Sequence, residues 1–160
     1  MHDVVIARAL HVLAVVIWIG GISMVTTVML PAVRRGQLGE DGLRDFQVVE
    51  HRLVWQARSA TVLVGLTGFY MCWRLDLWDR FREASFWWMH AMMALWLLLA
   101  LLLFVAEPVI LHRHFRGWTV VRPTVAIAWL HRAHWLLLTL SVATILGAVA
   151  GSQGWSIFSV

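Results

Sequence analysis

Residues Val4–Val33 read VVIARALHVLAVVIWIGGISMVTTVMLPAV, an apolar run broken by one charge, Arg8, and one imidazole, His11. A membrane span needs about 20 mostly apolar residues, so this stretch is long enough to cross a bilayer with turns to spare. It decides the class of the protein, and three further stretches repeat the pattern: Val54–Trp73, Phe86–Ala106 and Val125–Ala150. The expected fold is all-α, an integral membrane four-helix bundle forming a single domain over 1–160, with helices at about 4–33, 52–76, 85–111 and 124–151.

Composition agrees. Apolar residues make up 61% of the chain and there are 11 Trp; the mean hydropathy is +0.75. A water-soluble domain does not carry that much. The first span lacks a basic leader and a small-residue cleavage site, and Arg34-Arg35 flank its far end, so it reads as a retained helix rather than a signal peptide. All 13 basic residues are Arg, which leaves no lysine for a Schiff base. Their positions at span ends make the high pI a matter of topology, and a nucleic-acid partner is not expected.

Arg34, Arg35, Arg44, Arg52, Arg113, Arg116 and Arg122 crowd the first and third connections, with Arg132 just beyond, whereas Arg8, Arg74, Arg80 and Arg82 lie on the other side. The positive-inside rule then places those connections in the cytoplasm and both termini outside, on the periplasmic side of a bacterial-type inner (cell) membrane. The connections RRGQLGEDGLRDFQ and LHRHFRGWTVVRP hold the breakers, and Pro123 suits the first turn of helix four. Trp73, Trp78, Trp87 and Trp88 cluster where an aromatic belt is expected. Gly147 and Gly151 form a GxxxG pair, a close-packing face that points to a homo-oligomer.

Histidines inside lipid point to function, because an ionisable group there is costly unless something binds it. His11 and His90 each lie early in an outward-starting helix, at ~1.5 Å per residue roughly 6 to 12 Å below the outer edge. Two imidazoles at one depth on facing helices are what a six-coordinate haem b takes as axial ligands. Gly20 and Gly21 leave room for a flat ring against helix one, and Arg8 is placed to meet a propionate. A second, inner site has His134 as its ligand, with His51, His112 or His131 as partner; His51 is favoured because Arg58, seven residues on, shares its face and sits near a propionate or a quinone carbonyl. Scattered Met reads as packing filler, with soft copper ligation as the competing reading. Cys72 stands alone and forms no CxxC pair. Glu107, before Pro108, is either a proton relay or a carboxylate reaching to the inner interface.

The stretch LHVLAVVIWIGGISMVTTVMLP, with its His, W-x-G-G and terminal Pro, resembles the first helix of small membrane proteins of the CopD and HemJ superfamily. QARSATVLVGLTGFYM is similar to their R-x(n)-TG-x-Y segment, so the likeness covers about half the chain. The resemblance implies a four-helix bundle that carries b-type haem with His11 at the matching ligand position. It also implies protoporphyrinogen oxidation in HemJ-type members and copper uptake in CopD-type members. The expectation drawn from residues and resemblance together is a membrane-embedded cytochrome b, an oxidoreductase or a haem subunit of one. It passes electrons between a quinone or quinol and a redox partner through one or two bis-histidine haems; a protoporphyrinogen oxidase and a copper-handling protein are the alternatives.

Overall fold

A computed structural model describes residues 2–37, 42–107 and 123–155, and these are helical apart from short turns. Helix α1 (His2–Arg34) runs through a π-helical stretch at Val25–Met29. Helix α2 spans Gly42–Arg74. Helix α3 spans Trp87–Leu101 and continues as a π-helical stretch over 102–107. Helix α4 spans Pro123–Ser152 and starts on its proline, as expected. Two 3₁₀ turns, Trp78–Arg82 and Ala84–Phe86, link α2 to α3. Helix α2 starts ten residues before its expected boundary, so half of the first connection is helix.

Helices α1, α3 and α4 are long and apolar enough to cross a membrane. The other expected span lies in α2, which is long enough but carries Gln56, Arg58, Thr61, Thr67 and Tyr70 among its apolar residues. Several of these face protein: Arg58 reaches α3, Thr67 reaches His11 and Tyr70 reaches Asp3. The bundle is turned inside out relative to a water-soluble one, since Val16, Leu66, Leu101 and Leu146 are all more than half exposed.

The helices form a ring in which α1 packs along α2, α3 along α4, and the pairs join through α2–α3 and α4–α1. One core cluster centres on Ala14, Trp18, Ala60, Val64, Leu95 and Leu99; the other on Val25, Leu30 and Leu130. Indole rings fill glycine notches between helices. Trp96 lies over Gly65 and donates Nε1–H to the Thr61 carbonyl at 2.9 Å; Trp87 lies over Gly147, and Trp88 over Gly151. The GxxxG face expected to bind another protomer is therefore occupied by indoles of the same chain. Trp87 and Trp88 pack inside, while Trp73 and Trp78 stay exposed as belt residues do.

Both π-helical stretches have the same origin. In α1, the Leu30 N–H goes back to the Val25 carbonyl, and the residue five beyond Thr26 is Pro31, which has no N–H. The Thr26 carbonyl is thus left without a helical donor, and His131 of α4 supplies one, Nε2–H to oxygen at 3.0 Å. In α3, five residues beyond Leu103 the sequence has Pro108, and the Leu103 carbonyl accepts from Arg58 Nε of α2 at 3.1 Å. Each hairpin's first helix is capped by the second helix of the other hairpin.

Candidate cofactor site

All four helices line a cavity of about 340 Å³, within the lower range of small-molecule sites. Helix α1 contributes His11, Val15 and Ile19; α2 contributes Gly65, Gly68, Phe69 and Cys72; α3 contributes Met89, Met92, Met93 and Trp96. Helix α4 closes it with Ser141, Thr144, Ile145 and Ala148, and Phe81 of the outer turn completes the wall. The His11 ring sits against Gly68 of α2, where a Cβ would lie 3.4 Å from its Cε1. Gly20 and Gly21 lie against open space instead and line nothing, contrary to the expectation for helix one.

His11 has a defined tautomer. Its Nδ1 lies 2.9 Å from Thr67 Oγ1, and that hydroxyl spends its own proton on the Leu63 carbonyl at 2.6 Å. Thr67 can therefore only accept, so Nδ1 carries the proton and Nε2 keeps a lone pair. The Val64 backbone also lies within hydrogen-bond reach of the ring, and the ring lines the cavity. An imidazole held by a hydrogen bond at one nitrogen and open at the other has the arrangement of a metal ligand or a proton acceptor.

His90 does not share this cavity. Its Nε2–H donates to the Phe81 carbonyl at 2.9 Å, its Nδ1 lies 3.3 Å from the Phe86 carbonyl, and the side chain is exposed. The ring meets Phe81 edge-on at 5.5 Å, so it braces the outer turn. Met89, Met92 and Met93 form an i, i+3, i+4 stripe that lines the cavity, and position 90 lies off that stripe. Arg8 is exposed and does not line the cavity.

The inner site expected around His134 is not assembled by the described residues. His134 Nδ1–H donates to the Leu130 carbonyl at 3.0 Å. His51 is exposed, with no contact to His134, and neither ring lines the cavity. His131 is occupied at both nitrogens: Nδ1 accepts from Arg34 Nη1 at 3.0 Å, and Nε2 lies 3.0 Å from the Thr26 carbonyl and 2.9 Å from Trp135 Nε1. His112 and His114 lie outside the described residues. Among the described residues no group of three or more His, Cys, Asp or Glu is placed to hold a metal ion.

Arg58 is satisfied by protein. Besides the Leu103 carbonyl it pairs with Glu107, and its guanidinium lies over Trp55 at 5.4 Å and Phe104 at 5.8 Å. It lines no part of the cavity. Sequence reasoning missed Thr67 as the orienter of His11, although both lie in the segments that carry the family resemblance. It also missed the tie between Asp3 and the C-terminal end of α2, where Tyr70 donates at 2.8 Å and Arg74 at 3.0 Å. The spacing of Met89, Met92 and Met93 was the available signal for the inward stripe of α3. Compared with family models, curated proteins and solved structures, the chain matches none.

Proposed function

We propose that this chain is a four-helix integral membrane protein, a b-type cytochrome that holds one haem b in the interhelical cavity with His11 as axial ligand. It passes electrons between a quinone or quinol and a redox partner. The observation that carries the reading is the His11 imidazole: its Nδ1–H donates to Thr67 Oγ1, and the ring lines an apolar cavity. Bound there, haem supplies a one-electron iron couple. The chain's own contribution is to orient the imidazole and exclude water with Val15, Ile19, Phe69 and Ile145. All four helices cross the cell membrane of a bacterial-type cell with both termini outside, a reading supported by the apolar outer faces and the arginine distribution.

The test is the pyridine haemochrome and reduced-minus-oxidised spectra of detergent-purified protein from haem-replete cells. Non-covalent haem b is expected, at one per chain, and His11→Ala removes nearly all of it. Colourless wild-type protein ends the proposal. A second reading, copper handling, draws on one observation: Cys72, Met89, Met92 and Met93 put soft sulfur donors around the same cavity as His11. Copper bound without a Soret band selects it, and turnover of protoporphyrinogen selects the oxidase reading.

A further inference from the structure

We infer that the interhelical cavity is a binding site for the ring of a quinol that enters from the lipid between α1 and α4, with His11 as its hydrogen-bond acceptor. This rests on the quinol exchange of the proposed function and not on its haem, with which the quinol competes for the cavity. The wall selects by charge: among the described residues no Arg, Asp or Glu lines it. A carboxylate or phosphate taken into an apolar site without a counter-charge is costly, so the occupant that suits this cavity is neutral. Haem brings two propionates, and the notches at Gly65 and Gly68 already hold the Trp96 indole and the His11 ring. A single neutral ring is the better fit, and Phe69, Met92, Met93 and Trp96 give it polarisable apolar surface.

The cavity is not sealed. Val12 and Val16 of α1 and Val149 of α4 line it, and each is also more than half exposed on the outside of the bundle. The two helices that carry them therefore border a sideways opening, and the surface beside it, at Leu13 and Leu146, is apolar and exposed too. In the proposed arrangement that outside is lipid, so a ring carried on an apolar tail seats in the cavity and leaves its tail in the bilayer. Polar matching sets the redox form. Ser141 and Thr144 spend their protons on the Leu137 and Leu140 carbonyls of their own helix. His11 gives its proton to Thr67, and a neutral imidazole keeps an acceptor at its other nitrogen. That acceptor matches the O–H of a quinol and not the C=O of a quinone.

The experiment titrates full-length protein in lipid nanodiscs, under nitrogen, with duroquinol and separately with duroquinone, and subtracts the uptake of empty nanodiscs. Duroquinol is expected to saturate at one per chain and to bind about tenfold more tightly than duroquinone, the upper range for one net hydrogen bond. His11→Phe, which keeps a ring but has no acceptor, brings the two affinities together. Ala148→Leu leaves His11 in place, adds bulk to the cavity wall and weakens binding of both forms. Uptake no greater than that of empty nanodiscs overturns the inference, as does equal affinity of the wild type for the two redox forms. A preference that persists in His11→Phe, or binding unchanged in Ala148→Leu, overturns it as well. Colourless protein that binds duroquinol as expected ends the haem proposal and leaves the inference standing; haem-loaded protein without saturable duroquinol binding does the reverse.

Discussion

At the residue scale, Thr67 decides what His11 does. A free imidazole divides its proton between two nitrogens, and a ligand site needs one of them reliably bare. The Thr67 hydroxyl is itself oriented by the Leu63 carbonyl, so the chain Leu63–Thr67–His11 transmits backbone geometry to the Nε2 lone pair. Thr67→Val keeps the shape and removes the acceptor. Supporting hydrogen bonds of this kind are worth about 10–100-fold in metal affinity. Haem titration of the apo-protein is expected to show weaker binding of that order in Thr67→Val and unchanged binding in Thr139→Val, which lies outside the cavity wall and whose hydroxyl bonds to the Trp135 carbonyl of its own helix. Equal affinity of Thr67→Val and wild type counts against His11 as the ligand. The residue types were legible in the sequence, since a histidine inside an apolar run and a threonine in a TG-x-Y segment both stood out. Their pairing was not, because it joins positions 56 residues apart.

At the element scale, the two prolines shape the helices that carry them and also hold the ring together. Pro31 withholds an N–H from Thr26, and the vacant carbonyl becomes a docking point for His131 on α4. A lost hydrogen bond with a buried group left unpaired costs ~1–3 kcal/mol. His131→Leu is therefore expected to lower stability by about that amount in detergent thermal unfolding. Pro31→Ala returns a helical donor to position 31, so in that background His131→Leu costs much less, and the double-mutant cycle shows coupling. Additive effects refute the link between the proline and the histidine. Length and hydropathy had announced the helices themselves, with Pro31 and Pro108 inside the expected bounds of the helices that carry them. The expected helix over 4–33 already ran through Pro31; what a single-helix reading does not contain is the donor that the Thr26 carbonyl finds on α4.

At the scale of the whole molecule, the charge distribution and the apolar exterior together predict orientation. In a Cys72→Ser background, a membrane-impermeant maleimide added to intact spheroplasts is expected to label Gln153→Cys directly and Gln37→Cys only after permeabilisation. The reverse pattern refutes the arrangement with both termini outside. Four long helices, and three of them apolar enough to cross a membrane, follow from sequence alone, because length and hydropathy are sums over neighbouring residues. Level along each helix follows too, at a fixed rise per residue. Azimuth is different: a step of one residue turns a side chain by about 100°, and in helices apolar on every face no amphipathic stripe tells inside from outside. Only packing could turn Met93 inward and His90 toward the outer turn, close the Gly147 and Gly151 notches with indoles of the same chain, and join Arg58 to Glu107 rather than to a cofactor.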